Sequence, residues 1–176
     1  MVRLNVHDST LSLPASVVAI GAFDGVHRGH QKLIGNALKH ARETGVPLVV
    51  YTFDPPPKVY FQKSLLLTSL DEKLERLKAL GADHIIVQSF NEQYRARKAE
   101  EFHQDLRKLN PIGIWVGTDF KYGADRLGDI CTLRRHFSVR TVEPICCENG
   151  KVISSSRIRL LIQENNEALA NQLLGW

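Results

Sequence analysis

Residues 17–44 read VVAIGAFDGVHRGHQKLIGNALKHARET, a strand, a glycine- and histidine-rich loop and a helix in direct succession. Val17 to Phe23 is a nearly continuous apolar run, the mark of a strand buried on both faces. From Gly29 to Thr44, Leu33, Ile34, Ala37, Leu38 and Ala41 recur at helical spacing, and Gly45 before Pro47 ends the helix. Four further runs resemble the first: Leu48 to Phe53, His84 to Phe90, Gly113 to Asp119 and Val139 to Ile145. Helical segments lie between and after them. Asp71 to Leu80 opens on the capping-box pair Ser69 and Glu72 and ends at Gly81. Lys98 to Leu109 stops at Asn110-Pro111. A helix is predicted over Asp125 to Phe137, and another over Ser155 to Leu174, broken around Glu164 to Asn166. This alternation predicts an α/β fold with a doubly wound parallel sheet of about five strands. Ligands of such sheets bind beyond the carboxyl ends of the strands, so the residues after each run are the candidates for chemistry. Asp54 to Thr68, with Pro55, Pro56, Pro57 and the Leu65 to Leu67 patch, is longer than a usual βα loop and reads as a lid or mobile segment.

The chain has 176 residues, which at roughly 100–200 residues per domain predicts one domain over 1–176. Its 43% hydrophobic and 24% charged residues are ordinary globular usage and call for no disulfide or metal staple. Nineteen acidic against 23 basic residues leave a formal charge of +4, too mild for a dedicated duplex-binding module but suited to an anionic small molecule. No nucleic-acid partner is expected. Cys131, Cys146 and Cys147 read as reduced thiols of a cytoplasmic protein. Arg3, His7 and Asp8 break up any export signal, and no run approaches the 18 apolar residues of a membrane span.

The first strand runs into Gly21-Ala22-Phe23-Asp24-Gly25-Val26-His27-Arg28-Gly29-His30 just before a helix. Its glycines allow close backbone approach, and the helix N-terminus offers unpaired amides and a positive dipole to a phosphate. His27 and His30, three apart, can face one phosphate group; equally, one caps the helix and the other decorates the surface. G-x-G-x-x-G and Walker patterns are absent, and two histidines alone make a weak metal site, so no protein-built metal site is expected. Ser154-Ser155-Ser156-Arg157 opens the last helix, where serines bond phosphate oxygens or simply cap.

Phe23-Asp24-Gly25-Val26-His27-Arg28-Gly29-His30-Gln31 resembles the first-strand motif of HIGH-type nucleotidyltransferases, in the form found in the FMN adenylyltransferase (FAD synthetase) module of bacterial bifunctional riboflavin kinase/FAD synthetases. Four more stretches resemble that family in order. They are Thr52-Phe53-Asp54-Pro55-Pro56-Pro57; Leu80 to Val87 with Phe90 and Ala99-Glu100-Glu101-Phe102; Val116 to Gly123 with Arg126 and Gly128; and Ile153-Ser154-Ser155-Ser156-Arg157-Ile158-Arg159. The resemblance implies a Rossmann-like fold and transfer of AMP from ATP to FMN, giving FAD and pyrophosphate. It implies catalytic roles for His27, His30 and Arg157. ATP would be bound by Gly21, Phe23, Asp24, Gly29 and His30, by Gly117 and Asp119, and by Ser154, Ser155, Ser156 and Arg157. Asp119 is either an acceptor for ribose or base or a loop-orienting group, and Asp24 either a substrate contact or a turn stabiliser. Arg159 assists Arg157 or faces solvent. Mg²⁺ is implied with ATP, held largely by the phosphates themselves.

Flavin contacts implied by the resemblance are Phe53, Asp54, Pro55, Pro56, Tyr60 and Phe61. Pro56 stands where the family usually has histidine, so a donor to the acceptor substrate is missing. A sister transferase acting on another phosphorylated acceptor is therefore an alternative, as is a silent flavin or nucleotide binder. The length leaves no room for the kinase half, so a separate riboflavin kinase would supply FMN.

Overall fold

The computed structural model describes residues 5–7 and 10–176; Arg3 and Asp8 lie outside them. Eight strands form, β1 Asn5–His7, β2 Ser16–Ile20, β3 Leu48–Asp54, β4 His84–Ser89, β5 Pro111–Gly117, β6 Lys121–Tyr122, β7 Gly128–Asp129 and β8 Val139–Val142. Six of them build one sheet in the order β1-β4-β3-β2-β5-β8, every neighbouring pair parallel. The five apolar runs are its interior and far edge. The sixth strand, β1, is a three-residue edge too short to carry a periodic signal. Strand order reverses at β2, which lies between β3 and β5, so the loops after β2 and β5 flank the crevice where such folds bind ligands.

The helices are α1 Arg28–Thr44, α2 Pro57–Gln62, α3 Leu70–Ala79, α4 Glu92–Arg95, α5 Ala99–Arg107, α6 Ile130–Arg134, α7 Ser155–Gln163 and α8 Glu167–Leu174. Alternate residues of β2 face opposite layers. Val17 and Ala19 pack with Leu33, Ile34 and Ala37 of α1 and Leu77 of α3, while Val18 and Ile20 pack with Phe102 and Leu106 of α5 and Leu133 of α6. A third cluster joins Ile158 and Leu161 of α7 to Ala170 and Leu173 of α8. The break at Glu164 to Asn166 falls where expected, between α7 and α8.

Two expectations are corrected. Asp125 to Phe137 is not one helix: Asp125 and Arg126 take φ of 54° and 56°, β7 pairs antiparallel with β6, and only Ile130–Arg134 is helical. Gly128 lets Tyr122 lie flat against this hairpin, since a Cβ there would meet the ring at 2.6 Å. Asp54 to Thr68 is likewise not unstructured throughout. Pro56 ends the extended segment after a cis Asp54-Pro55 bond, and Pro57 starts α2, a position that needs no backbone N–H.

Leu106 is fully buried in the α5 layer, whereas Leu160 on α7 is exposed. Urea unfolding of Leu106→Ala should show a loss of about 2–5 kcal/mol. Leu160→Ala should stay within about 0.5 kcal/mol of the parent.

Candidate active site

The loop after β2 turns sharply before α1. Phe23, Gly25 and Val26 all take positive φ, at 50°, 82° and 44°, a conformation that glycine accepts freely and a β-branched valine does not. Phe23 is thus part of the turn and not of the strand. The loop carbonyls are gripped from several directions. Lys73 Nζ donates to Ala22 O at 3.2 Å and to Phe53 O at 2.8 Å. Arg76 donates to Gly25 O, Gln31 and Trp176 to Val26 O, and Ser155 Oγ to Asp24 O. Asp24, 2% exposed, accepts from the Leu67 and Thr68 amides and from Arg159 Nη2, and Arg159 Nε donates to Leu65 O.

This frame fixes the two histidines. His27 is the N-cap of α1, its Nδ1 accepting from Gly29 N at 3.1 Å and His30 N at 3.4 Å. Gly29 makes room for that cap, because a Cβ would meet the His27 ring at 3.0 Å. The imidazoles of His27 and His30 stack with centroids 3.6 Å apart, and Phe23 meets His30 edge-on. Burial lowers the His27 pKa to about 4. Burial, and then the neighbouring His27 and Lys73, lowers that of His30. Both rings are therefore neutral near pH 7, and Nδ1 of His27 being an acceptor puts its proton on Nε2. Nδ1 of His30 is buried without a hydrogen-bond partner. A buried polar atom left unpaired loses its hydration with no return, and a ligand oxygen or phosphate hydroxyl would restore a partner.

The remaining candidates fall around this pair. Ser154 caps α7 through Arg157 N. Ser156 receives a hydrogen bond from Lys58 of α2, so α7 and the segment after β3 are joined. Arg157 points elsewhere, its Nη1 on Cys147 Sγ, Lys151 O and Val152 O. Gly117 closes β5 and Asp119 is exposed in the turn beyond it, on the other flank of the crevice. Of the flavin candidates, Phe53, Tyr60 and Phe61 join Phe90 and Tyr94 in one aromatic cluster with ring centroids 5.3–6.3 Å apart. Phe61 is 55% exposed and lies under the Arg95 guanidinium. Asp54 ends β3, Pro55 follows the cis bond, and Pro56 is buried at the start of α2. A cavity of about 390 Å³ beside α4 shares Tyr94 with this cluster and touches none of the residues expected to bind ATP or flavin.

Lys73 and Arg159 were not among the sequence-derived site residues. Lys73 is 1% exposed, and burial lowers its pKa against the opposing pull of Asp54 and Asp24. Its position between Leu70 and Leu77 on the apolar side of α3 was the available signal, since a charge there must find polar partners. Arg159, expected to assist or to face solvent, is buried on Asp24.

A family description reading FAD synthetase matches residues 10–157. A Geobacillus thermodenitrificans protein described as "Putative bifunctional riboflavin kinase/FMN adenylyltransferase" is 49% identical, the alignment covering 98% of each chain. Proteins described as bifunctional riboflavin kinase/FMN adenylyltransferase from Escherichia coli and Bacillus subtilis are 36% and 37% identical, and the chain spans 54% and 53% of their lengths. A crystal structure described as a macrolide-efflux protein from Streptococcus pneumoniae superposes with a TM-score of 0.85 at 31% identity, over 99% of this chain and 62% of that one. Among the described residues no helix is long and apolar enough to cross a membrane. A match running from before β2 to the first turn of α7 takes in the histidine loop and the serine cap together, and the chain belongs to the FAD synthetase family.

Proposed function

We propose that this chain transfers AMP from ATP to FMN. A phosphate oxygen of FMN attacks the α-phosphorus, the bond from that phosphorus to the β-phosphate bridging oxygen breaks, and pyrophosphate leaves with the electron pair. The carrying observation is the stacked, neutral histidine pair at the α1 N-terminus beside the point where strand order reverses. Such a reaction needs alignment and charge neutralisation more than covalent help. His27 offers Nε2–H and His30 its unpartnered Nδ1 to oxygens that gain charge as the bond breaks. Already fixed by Gly29 N, His30 N and Phe23, the rings need no reorganisation at that moment.

Gly21, Phe23, Asp24 and Gly29 shape the nucleotide side of this crevice, with Gly117 and Asp119 on its other flank. Ser154, Ser155, Ser156 and Arg157 lie at the α7 end, with Arg157 able to exchange carbonyl contacts for phosphate ones. Mg²⁺ fits as a companion of the triphosphate, because the buried carboxylate here, Asp24, is already committed to two amides and Arg159, and the ion's charge would ease pyrophosphate departure. Phe53, Asp54, Pro55, Pro56, Tyr60 and Phe61 form the aromatic side suited to an isoalloxazine. The unit acts in the cytoplasm as one nucleotidyl-transfer domain.

A second reading, transfer to another phosphorylated acceptor, is favoured by Pro56, which is buried at the start of α2 and offers no donor. Incubation with ATP, Mg²⁺ and FMN should yield FAD and pyrophosphate in equal amounts. Pyrophosphate release with a different phosphate ester but not with FMN would instead establish the second reading.

His30→Ala should lower kcat about 10²–10³-fold, the loss typical of one transition-state donor, with a much smaller change in KM for ATP. Equal losses in both would contradict the role. His27 ties stability to pH as well. Its folded pKa of about 4 lies below the ordinary value, so the unfolded chain takes up the proton first as pH falls. Stability is then full above about pH 6.5 and declines toward pH 4, by on the order of 3 kcal/mol. His27→Asn keeps a capping oxygen but cannot titrate, so urea midpoints measured at pH 7.5 and 4.5 should move less than in the parent. An unchanged pH slope would rule out this linkage.

A further inference from the structure

On the face of the sheet covered by α5, a second group of histidines lies apart from the pair on α1. Glu100 and His103 occupy adjacent turns of α5, three residues apart and so on one side of the helix. His136 follows α6 and brings its ring to 4.4 Å from that of His103. One donor atom from each of the three residues falls within 4.8 Å of the others. We propose that Glu100, His103 and His136 bind one divalent transition-metal ion of the zinc class, outside the nucleotide site and independently of the reaction proposed above.

The donor chemistry selects the ion. Two imidazoles and one carboxylate suit zinc and its neighbours, whereas Mg²⁺ prefers an all-oxygen shell. His103 Nδ1 already lies 3.2 Å from Glu100 Oε2, close to the edge of about 3.3 Å that metal bonds of ~2.0–2.1 Å give in a tetrahedron. His136 is exposed and free to swing the remaining distance. Three protein ligands leave the fourth position to water.

The surroundings of His103 are arranged as around a metal ligand. Its Nε2 is 2.7 Å from the Tyr122 hydroxyl, a group that can either give or take that hydrogen bond. Nδ1 can therefore exchange a proton for a metal while Nε2 stays paired, and such outer partners fix the orientation of ligating imidazoles. A cation already occupies the outer side of the site. Arg107 donates to Glu100 Oε1 at 2.9 Å and lies 3.4 Å from His136 Nδ1, so both outer donors present lone pairs to one positive group. Arg107 is half exposed and can withdraw to solvent. Metal would then pin α5 to the residue after α6 and, through Tyr122, steady the β6–β7 hairpin.

The test is calorimetric titration of the metal-free full chain with ZnCl₂ at pH 7.5 in a non-coordinating buffer. One ion should bind per chain and raise Tm. His136→Ala, whose parent side chain is exposed and whose loss should leave the metal-free Tm unchanged, should weaken binding at least ~10–100-fold, no less than loss of an outer partner costs. Arg107→Gln should tighten it about two- to fivefold, the equivalent of one exposed ion pair. Failure of the parent to bind, binding that survives His136→Ala, or unchanged or weaker binding in Arg107→Gln would each overturn the proposal.

Discussion

The buried pair of Asp24 and Arg159 is the constraint on which the rest of the site depends. One carboxylate holds the amides of Leu67 and Thr68 and the guanidinium of a helix 135 residues away in sequence. It joins the turn after β2, the segment before α3 and the body of α7. Two buried charges are costly to desolvate, and the arrangement stands because nearly every polar direction is filled. The turn they brace is itself strained, with Phe23 and Val26 at positive φ. Residues in such regions cost on the order of 1–3 kcal/mol each and persist only where the surroundings over-determine them. Here that over-determination is visible as donors on Ala22 O, Asp24 O, Gly25 O and Val26 O from six different side chains.

What this rigidity secures is an electrostatic state. Burial keeps both histidines neutral, helped at His30 by the neighbouring His27 and Lys73, and in the proposed reaction they would meet the substrate as neutral rings already aimed. An imidazolium pair at 3.6 Å would repel itself, and a mobile neutral pair would have to be oriented in each turnover. A neutral stacked pair avoids both costs. Positive potential at the site is left to the α1 N-terminus and to Lys73, whose charge is spread over two carbonyls of neighbouring loops.

Much of this was legible in the sequence, for definite reasons. Strands buried on both faces leave continuous apolar runs, and β2, β3, β4, β5 and β8 were all visible in that way. The histidine loop stood out because glycines and histidines meet where a strand gives way to a helix. The segment from Asp125 to Phe137 misled because its spacing suits a helix, while Asp125 and Arg126 adopt a backbone conformation that no periodicity reports. Lys73 and Arg159 were harder still. Lys73 is a charge within an apolar stripe, whereas Arg159 has Ser155, Ser156 and Gln163 among its helical neighbours and reads as surface; only the three-dimensional position of Ala22 O, Phe53 O and the Asp24 carboxylate explains the burial of both.

Arg157 and Arg159 show why two arginines in one motif are not equivalent. Two positions along a helix turn the side chains about 200° apart, so the pair faces opposite ways from α7. Arg159 cannot leave its place without stranding a buried carboxylate, a loss of about 3–5 kcal/mol; its freedom is confined to Nη1, which has no hydrogen-bond partner. Arg157 is held only by two carbonyls and a thiol at the protein rim, weak neutral acceptors compared with a phosphate, to which charge-assisted bonds are about twice as strong. In the proposed reaction the cation free to move toward the triphosphate is thus the one held loosely, and the cation that fixes the turn is the one held tightly. A single helix start supplies both because its serine cap at Ser154 sets the phase of the two side chains.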